Sequence, residues 1–200
     1  MRRRPTGDDG NALVEFSYLA VLLMIPLVYV LLTVFQVQRA AFGVTAAHLG
    51  DVISGCQLDL EQSRYLDYPG LARYCHLVAG VVGEVAANIF GRTEDSTVAY
   101  AHRLGLAMQL TNIIRDVGDD ARRDRIYLPM SELKQFDVKA QEVLNRGYSE
   151  RFTALMKFQA ERAHRCYDEA FALLGDADRA AQKPGLMMGN IYRTLLREIE

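Results

Sequence analysis

Oxygen-bearing side chains recur about once per helical turn in the middle of the sequence. Gln109, Asn112, Asp116 and Asp120 follow one another at intervals of three or four residues, and at about 100° per residue they share one helical stripe with Gly105. The positions between them are mostly aliphatic. A surface helix shows the reverse arrangement, with one apolar stripe in a polar majority. The pattern therefore predicts a polar-lined cavity inside a helical bundle.

The chemistry that suits this polar stripe is cation binding. Mg²⁺ takes one or two carboxylates, keeps several waters and accepts phosphate oxygens. We therefore interpret Asn112, Asp116 and Asp120 as metal ligands, with Gln109 and Arg115 as donors to a diphosphate. The alternative is an acidic helix end whose aspartates and arginines pair with each other on a solvated face.

The same stretch resembles the second aspartate-rich motif of the squalene/phytoene synthase family. The matching residues run Gln-Leu-Thr-Asn-Ile-Ile-Arg-Asp-Val-Gly-Asp-Asp from position 109 and continue to Arg-Ile-Tyr-Leu-Pro at 125–129. Upstream, Tyr-Cys-His-Leu-Val-Ala-Gly-Val-Val-Gly at 74–83 is similar to the other signature helix of that family. Shorter matches at 59–65 and 182–193 resemble its presqualene diphosphate synthase branch. The resemblance covers about residues 50–200.

This resemblance implies a fold, a reaction and several roles. The fold is all-α, a partial isoprenoid-synthase helical bundle, and the enzyme is a Mg²⁺-dependent prenyltransferase. The reaction is the head-to-head condensation of two farnesyl diphosphates to presqualene diphosphate, in squalene and hopanoid biosynthesis. Tyr74, Asp116 and Asp120 would be catalytic, with Tyr74 near the developing carbocation. Tyr192 would contact the diphosphate, although it is equally an ordinary helix aromatic.

An apolar wall for the prenyl chain is predicted beside the polar stripe. Tyr74, Val78 and Val82 recur every four residues on one helix, and we interpret the two valines as substrate-binding. Gly105 on the facing helix removes side-chain volume and could leave room for a second prenyl tail. Core packing is the alternative for the valines, and close helix packing is the alternative for the glycine.

Hydrophobic periodicity predicts helices and no strands from residue 48 onward. The predicted helices cover 52–66, 71–90, a stretch from about 96 to Gly118 and the arginines after it, a helix starting at Ser131, and 140–145, 149–174 and 184–199. Residues 126–129 are expected to be extended.

Composition limits the class of protein. The 200 residues are 50% hydrophobic and 24% charged with a net charge of −2, which is enough for one sizeable core and too balanced for a nucleic-acid-binding protein. The three cysteines and four histidines lack the spacing of a zinc site. We therefore assigned the histidines no role.

The first 47 residues differ from the rest of the chain. Residues 16–35 carry no charge, and twenty such residues in a helix would span a hydrocarbon core of about 30 Å, so they predict one transmembrane helix that precedes the bundle. Glu15, five residues after Gly10, resembles the processing site of pseudopilins of the tight-adherence pilus system. The sequence thus predicts two domains, a pseudopilin-like segment at 1–47 and a truncated synthase-like domain at 48–200.

The two parts imply opposite compartments. Three arginines before the apolar run favour a cytoplasmic N-terminus and an external C-terminal part, whereas a prenyl diphosphate enzyme is expected in the cytoplasm. The alternative function is therefore a bitopic pilus-assembly membrane protein with a passive C-terminal part. The resemblance also calls for a first aspartate-rich motif before Asp59, which the sequence lacks, so we expect weak diphosphate binding and little turnover.

Overall fold

The computed structural model describes residues 45–200, which form helices and short connections without a β-strand. The predicted all-α class is therefore confirmed for this part of the chain. In order, the helices are α1 (Ala46–Glu61), α2 (Tyr68–Cys75), α3 (Val81–Phe90), α4 (Ser96–Arg122), α5 (Met130–Gln135), α6 (Ala140–Leu144), α7 (Glu150–Leu173), α8 (Asp176–Arg179) and α9 (Lys183–Ile199). One π-helical turn, His76–Gly80, joins α2 directly to α3.

Helix α4 is the central helix of the bundle and carries the polar stripe. It packs against α7 along most of its length and also contacts α3, α9 and the π-turn. Its aliphatic positions, among them Leu110 and Ile113, are buried, and Thr111 pairs with the fully buried Tyr167 of α7 at 2.9 Å between their hydroxyl oxygens. The apolar residues beside the stripe therefore place α4 inside the bundle, as their number predicted.

Local signals account for several helix ends. The Asp67 side chain accepts a hydrogen bond from the Gly70 amide at 2.9 Å and caps α2, which has a proline in its first turn. Ser149 caps α7 in the same way by accepting from the Phe152 amide at 3.1 Å. Gly91, with a φ of 95°, ends α3 in a conformation that favours glycine.

The first predicted helix is wrong in its bounds. It was expected at 52–66, but α1 covers Ala46–Glu61, and residues 62–66 are not helical. Their backbone bonds with the segment that follows α4: the Ile126 amide donates to the Ser63 carbonyl at 3.0 Å, and the Met130 amide donates to the Tyr65 carbonyl at 2.8 Å. These long-range bonds replace the helical ones, which a local pattern cannot show.

The predicted transmembrane helix at 16–35 and almost all of the pseudopilin-like segment at 1–47 lie outside the described residues. Within residues 45–200, no helix combines the length and the apolar character needed to cross a bilayer.

Candidate functional site

A cavity of about 440 Å³ lies between the π-turn, α3, α4 and the first turns of α9. This volume is in the range of small-molecule sites. Its walls are mostly apolar, and five of the predicted site residues line it, namely Val78, Val82, Gly105, Gln109 and Asn112. The two signature motifs therefore meet across this cavity.

Asn112 places an unsatisfied acceptor at the polar end of the cavity. Its Oδ1 atom is buried and has no hydrogen-bond partner among the described residues. Its Nδ2 atom donates to Gln109 Oε1 at 3.4 Å. A buried carbonyl oxygen left unpaired costs about 1–3 kcal/mol. The group fits a ligand that supplies a donor or a cation.

Arg115 and Asp116 form a bidentate ion pair next to Asn112 on the exposed side of α4. Arg115 Nε and Nη2 donate to the two carboxylate oxygens, each at 2.7 Å. The hydrogen bonds from Arg115 lower the pKa of Asp116 despite partial burial, so this carboxylate is ionised at neutral pH. The pairing is between sequence neighbours, and it leaves a charged donor and a charged acceptor side by side. The pKa of Arg115 is raised by Asp116 first and by Tyr192 of α9 after it.

Asp120 is in a less favourable environment than Asp116. Partial burial, followed by the negative charge of Asp116 one turn away, raises the pKa of Asp120. A cation between the two carboxylates would remove that repulsion. Within residues 45–200, however, no three His, Cys, Asp or Glu side chains are grouped as a metal site. A Mg²⁺ ion here would need ligands from Asn112, water and a diphosphate as well.

Tyr74 contacts Asp59 instead of joining Val78 and Val82 in the apolar wall that its spacing predicted. It does not line the 440 Å³ cavity, and its hydroxyl donates to Asp59 Oδ1 at 3.1 Å. The π-turn explains the difference, because its wider turn shifts the register between Tyr74 and the two valines. The regular stripe of Tyr74, Val78 and Val82 is therefore broken after its first member.

Asp59 is a site residue that the sequence analysis did not assign. Its carboxylate accepts hydrogen bonds from Tyr74 and Tyr127 and pairs with Arg125 Nη1 at 2.7 Å. Burial raises its pKa, but the hydrogen bonds from Tyr127 and Arg125 outweigh burial and lower it. Arg125 and Tyr127 come directly after the aspartate-rich motif. This position next to the motif is the sequence signal that could have assigned them, and with them Asp59, to the site.

Three histidines from α1, the π-turn and α4 lie close together. His102 Nε2 lies 2.7 Å from Glu84 Oε2, and His48 Nε2 lies 3.4 Å from Glu84 Oε1. The rings of His76 and His102 meet edge to face at 4.8 Å between centroids. The histidines at 48, 76 and 102 are thus clustered, although their sequence spacing indicated that they were scattered.

The described residues have the all-helical isoprenoid synthase fold. Residues 25–200 match the family described as squalene/phytoene synthase, and the chain belongs to that family. The match begins inside the segment that we assigned to a pseudopilin-like domain.

Curated relatives of the chain include two phytoene synthases. The phytoene synthase of Arthrospira platensis is 40% identical over 166 residues, which cover 75% of this chain and 53% of that protein. The chloroplastic phytoene synthase of an Oncidium hybrid cultivar is 37% identical over 165 residues, covering 80% of this chain and 40% of that protein. The chain thus spans about half or less of the length of these relatives.

Two solved structures share the fold. The squalene synthase HpnC of Alicyclobacillus acidocaldarius has a TM-score of 0.75 at 22% identity, with 82% of this chain and 63% of that chain covered. A dehydrosqualene synthase solved in complex with a ligand has a TM-score of 0.66 at 27% identity, with 78% and 65% covered.

Proposed function

We propose that this chain is a prenyltransferase that joins two prenyl diphosphates head to head. The observation that carries the proposal is the buried Asn112 oxygen, which has no partner among residues 45–200 and lies at one end of an apolar cavity. The ion pair of Arg115 and Asp116 follows one turn further along α4. The apolar walls suit an isoprenoid tail, and the polar end suits its diphosphate.

Each part of the site has a physical task in this reaction. Val78 and Val82 bind the hydrocarbon tail and keep water away from a carbocation. Arg115 and Gln109 donate to the diphosphate and fix its position. Asn112, Asp116 and Asp120 would hold Mg²⁺, which when bound compensates the charge of the leaving diphosphate.

Tyr74 and Asp59 lie outside the lining of the 440 Å³ cavity, so we infer for them an electrostatic role from beside it. Burial, followed by the charges of Tyr127 and Asp59, raises the pKa of Tyr74, so its phenol stays protonated and continues to donate to Asp59. The proton stays on the phenol and points to the Asp59 carboxylate, so the lone pairs of the phenol oxygen point away from Asp59. We infer that this dipole stabilises positive charge on the substrate.

The substrate and location are also part of the proposal. We propose two farnesyl diphosphates as substrates and presqualene diphosphate as product; the names of the curated relatives favour a phytoene-type product as the alternative. We further propose that the synthase-like part works in the cytoplasm and is attached to the membrane through residues 16–35. The family match from residue 25 favours the synthase over the pilus-assembly alternative.

Binding and turnover of farnesyl diphosphate with Mg²⁺ test the proposal. We expect Mg²⁺-dependent binding by calorimetry and slow formation of presqualene diphosphate. Asp116→Asn should weaken binding at least about tenfold, because even residues that only support metal ligands cost about 10–100-fold. Asp119→Asn is the matched control, since Asp119 is an exposed aspartate of the same helix that pairs with Arg122. Equal binding by both variants, or no Mg²⁺-dependent binding at all, would overturn the proposal.

A further inference from the structure

A buried tyrosine lies at the end of the cavity opposite Asn112. Tyr100 on α4 is 1% exposed and lines the cavity. Among the cavity-lining residues of α4, it is the furthest from Asn112. Its hydroxyl is buried without a hydrogen-bond partner among residues 45–200. Burial raises the pKa of Tyr100 to about 12, so the phenol is neutral.

The surroundings of Tyr100 hold its ring in place. A Cβ atom on Gly185 of α9 would come within 2.8 Å of the Tyr100 hydroxyl oxygen, so the phenol touches the backbone at this glycine. The neighbouring Gln182 is buried, and its Nε2 atom donates to the carbonyls of Ala87 and Gly91 at 3.0 and 2.9 Å. Gln182 thereby ties the start of α9 to the end of α3. Tyr100 is therefore a fixed part of the wall at this end of the cavity.

The length of α4 between the two ends can be compared with a prenyl chain. Tyr100 and Asn112 are twelve residues apart on one helix, which corresponds to about 18 Å at 1.5 Å per residue. An isoprene unit has four main-chain bonds, and at about 1.2 Å per extended bond it spans about 5 Å. Three units extend about 15 Å and four extend about 20 Å. The distance accommodates three units and is short for four.

We propose that Tyr100 sets the length of the prenyl tail that this cavity accepts, with three isoprene units as the limit. The aromatic ring, and not the hydroxyl, limits the length of the tail, because a hydrocarbon tail offers no hydrogen-bond acceptor to the phenol hydroxyl. A tail of three units ends at the ring, and a longer tail must fold back or leave its last carbons in water. The inference rests on the proposed function of the cavity.

Dissociation constants for geranyl, farnesyl and geranylgeranyl diphosphates, with two, three and four units, test the inference with Mg²⁺ present. We expect the native chain to bind the three-unit compound at least about tenfold more tightly than the two-unit compound, and to gain nothing from the fourth unit. Tyr100→Ala removes the wall and should bind the four-unit compound at least about tenfold more tightly than the native chain does.

Two further variants separate the ring from the hydroxyl and from folding. Tyr100→Phe keeps the ring and should keep the native preference. Gly185→Ala places a methyl group against the phenol at this end of the cavity. It should weaken binding of the three-unit compound more than binding of the two-unit compound, which supports the inference even if Tyr100→Ala fails to fold. An unchanged order of the three ligands in folded Tyr100→Ala, or a lost preference in Tyr100→Phe, overturns the role of Tyr100 alone. Failure of the native chain to bind any of the three ligands overturns the proposed function instead.

Discussion

Two residues of the polar stripe, Asn112 and Asp120, lie in environments that lower the stability of the fold. Asn112 keeps a buried oxygen without a partner in the part of the chain that the structure describes, and burial and the charge of Asp116 both oppose ionisation of Asp120. Stable folds remove such groups or pair them, because each unpaired group costs free energy. Groups of this kind persist where a ligand completes them, so both residues are better explained by binding than by folding.

Replacing Asp120 should therefore stabilise the protein and weaken the site. The raised pKa means that the folded state favours the protonated form more than the unfolded chain does, so the ionised side chain lowers stability at pH 7. Asp120→Asn should raise the melting temperature at pH 7 by roughly 1–3 °C, and the gain should shrink as the pH falls and Asp120 becomes neutral. Thermal denaturation between pH 7 and 4 measures this.

The same variant should lose affinity for the ligand. Binding of farnesyl diphosphate with Mg²⁺ should weaken at least about tenfold in Asp120→Asn. Asp119→Asn again serves as the control, since its exposed side chain should change neither quantity. A lower melting temperature in Asp120→Asn would contradict the unfavourable environment that we assign to this carboxylate.

The residues of the site were predicted unequally well from the sequence. Gln109 and Asn112 lie on the regular helix α4 and line the cavity, as helical spacing predicted. Val82 on α3 and Val78 in the π-turn line it as well. Tyr74 was grouped with the valines, but the π-turn between them turns it toward Asp59. Spacing rules assume a constant helical register, and one wide turn is enough to break them.

At the scale of elements, α4 approaches the π-turn and α3 closely at two glycines that line the cavity. A Cβ atom on Gly105 would lie 2.6 Å from the Ala79 carbonyl oxygen, and one on Gly83 would lie 2.7 Å from the Ala101 carbonyl oxygen. The two contacts hold α4 against the π-turn and α3. Close packing, which the sequence analysis kept as the alternative for Gly105, is what the structure has at that position.

Adding a methyl group at the contact should separate the helices. Gly105→Ala should lower the free energy of unfolding by about 1–3 kcal/mol, because the nearby atoms are backbone and cannot turn aside. Gly118→Ala, on the same helix, is the matched control: no atom lies within 4 Å of its added Cβ, so it should be neutral or stabilise by up to about 1 kcal/mol. Urea denaturation of both variants measures the difference. Equal stabilities would contradict a tight contact at Gly105.

The elements themselves were predicted well wherever a long hydrophobic period was present. Helices α4, α7 and α9 were expected within a few residues of their observed bounds. Helix α1 was misplaced because residues 62–66 bond to the distant segment after α4. Helix α8 was missed because four residues, Asp176–Arg179, are too few to show a period. Local sequence patterns show neither a backbone pairing with a distant segment nor a helix of a single turn.

At the scale of the whole molecule, ionised carboxylates join parts of the bundle that are distant in sequence. Asp178 on α8 is 1% exposed and accepts from both the amide and the hydroxyl of Thr93 and from the Thr97 hydroxyl, at 2.6–2.9 Å. It thereby anchors the first turn of α4. Asp59 joins α1 to the segment after α4 through Arg125 and Tyr127. Both ends of the central helix thus depend on one carboxylate from another element.

Acid should therefore weaken the whole bundle. Hydrogen bonds from Thr93 and Thr97 lower the pKa of Asp178, and the pKa values of Asp59 and Asp116 are lowered as well. A lowered pKa contributes stability above the unfolded value of about 4, and this stability is lost as the pH falls toward the folded value. We expect the melting temperature to fall by roughly 5 °C or more between pH 5 and pH 3.

The variant that tests the origin of this acid sensitivity is Asp178→Asn. An amide cannot accept from all the donors around Asp178, so the variant should melt at a lower temperature than the native chain at pH 7. It has no carboxylate to protonate at this position, so its melting temperature should fall less steeply between pH 5 and pH 3, and the two curves should converge in acid. Asp168→Asn is the matched control, because Asp168 is an exposed carboxylate that pairs with Arg193. Parallel curves for the native chain and Asp178→Asn would show that the acid sensitivity arises elsewhere, since only a carboxylate whose proton uptake is coupled to unfolding changes the slope.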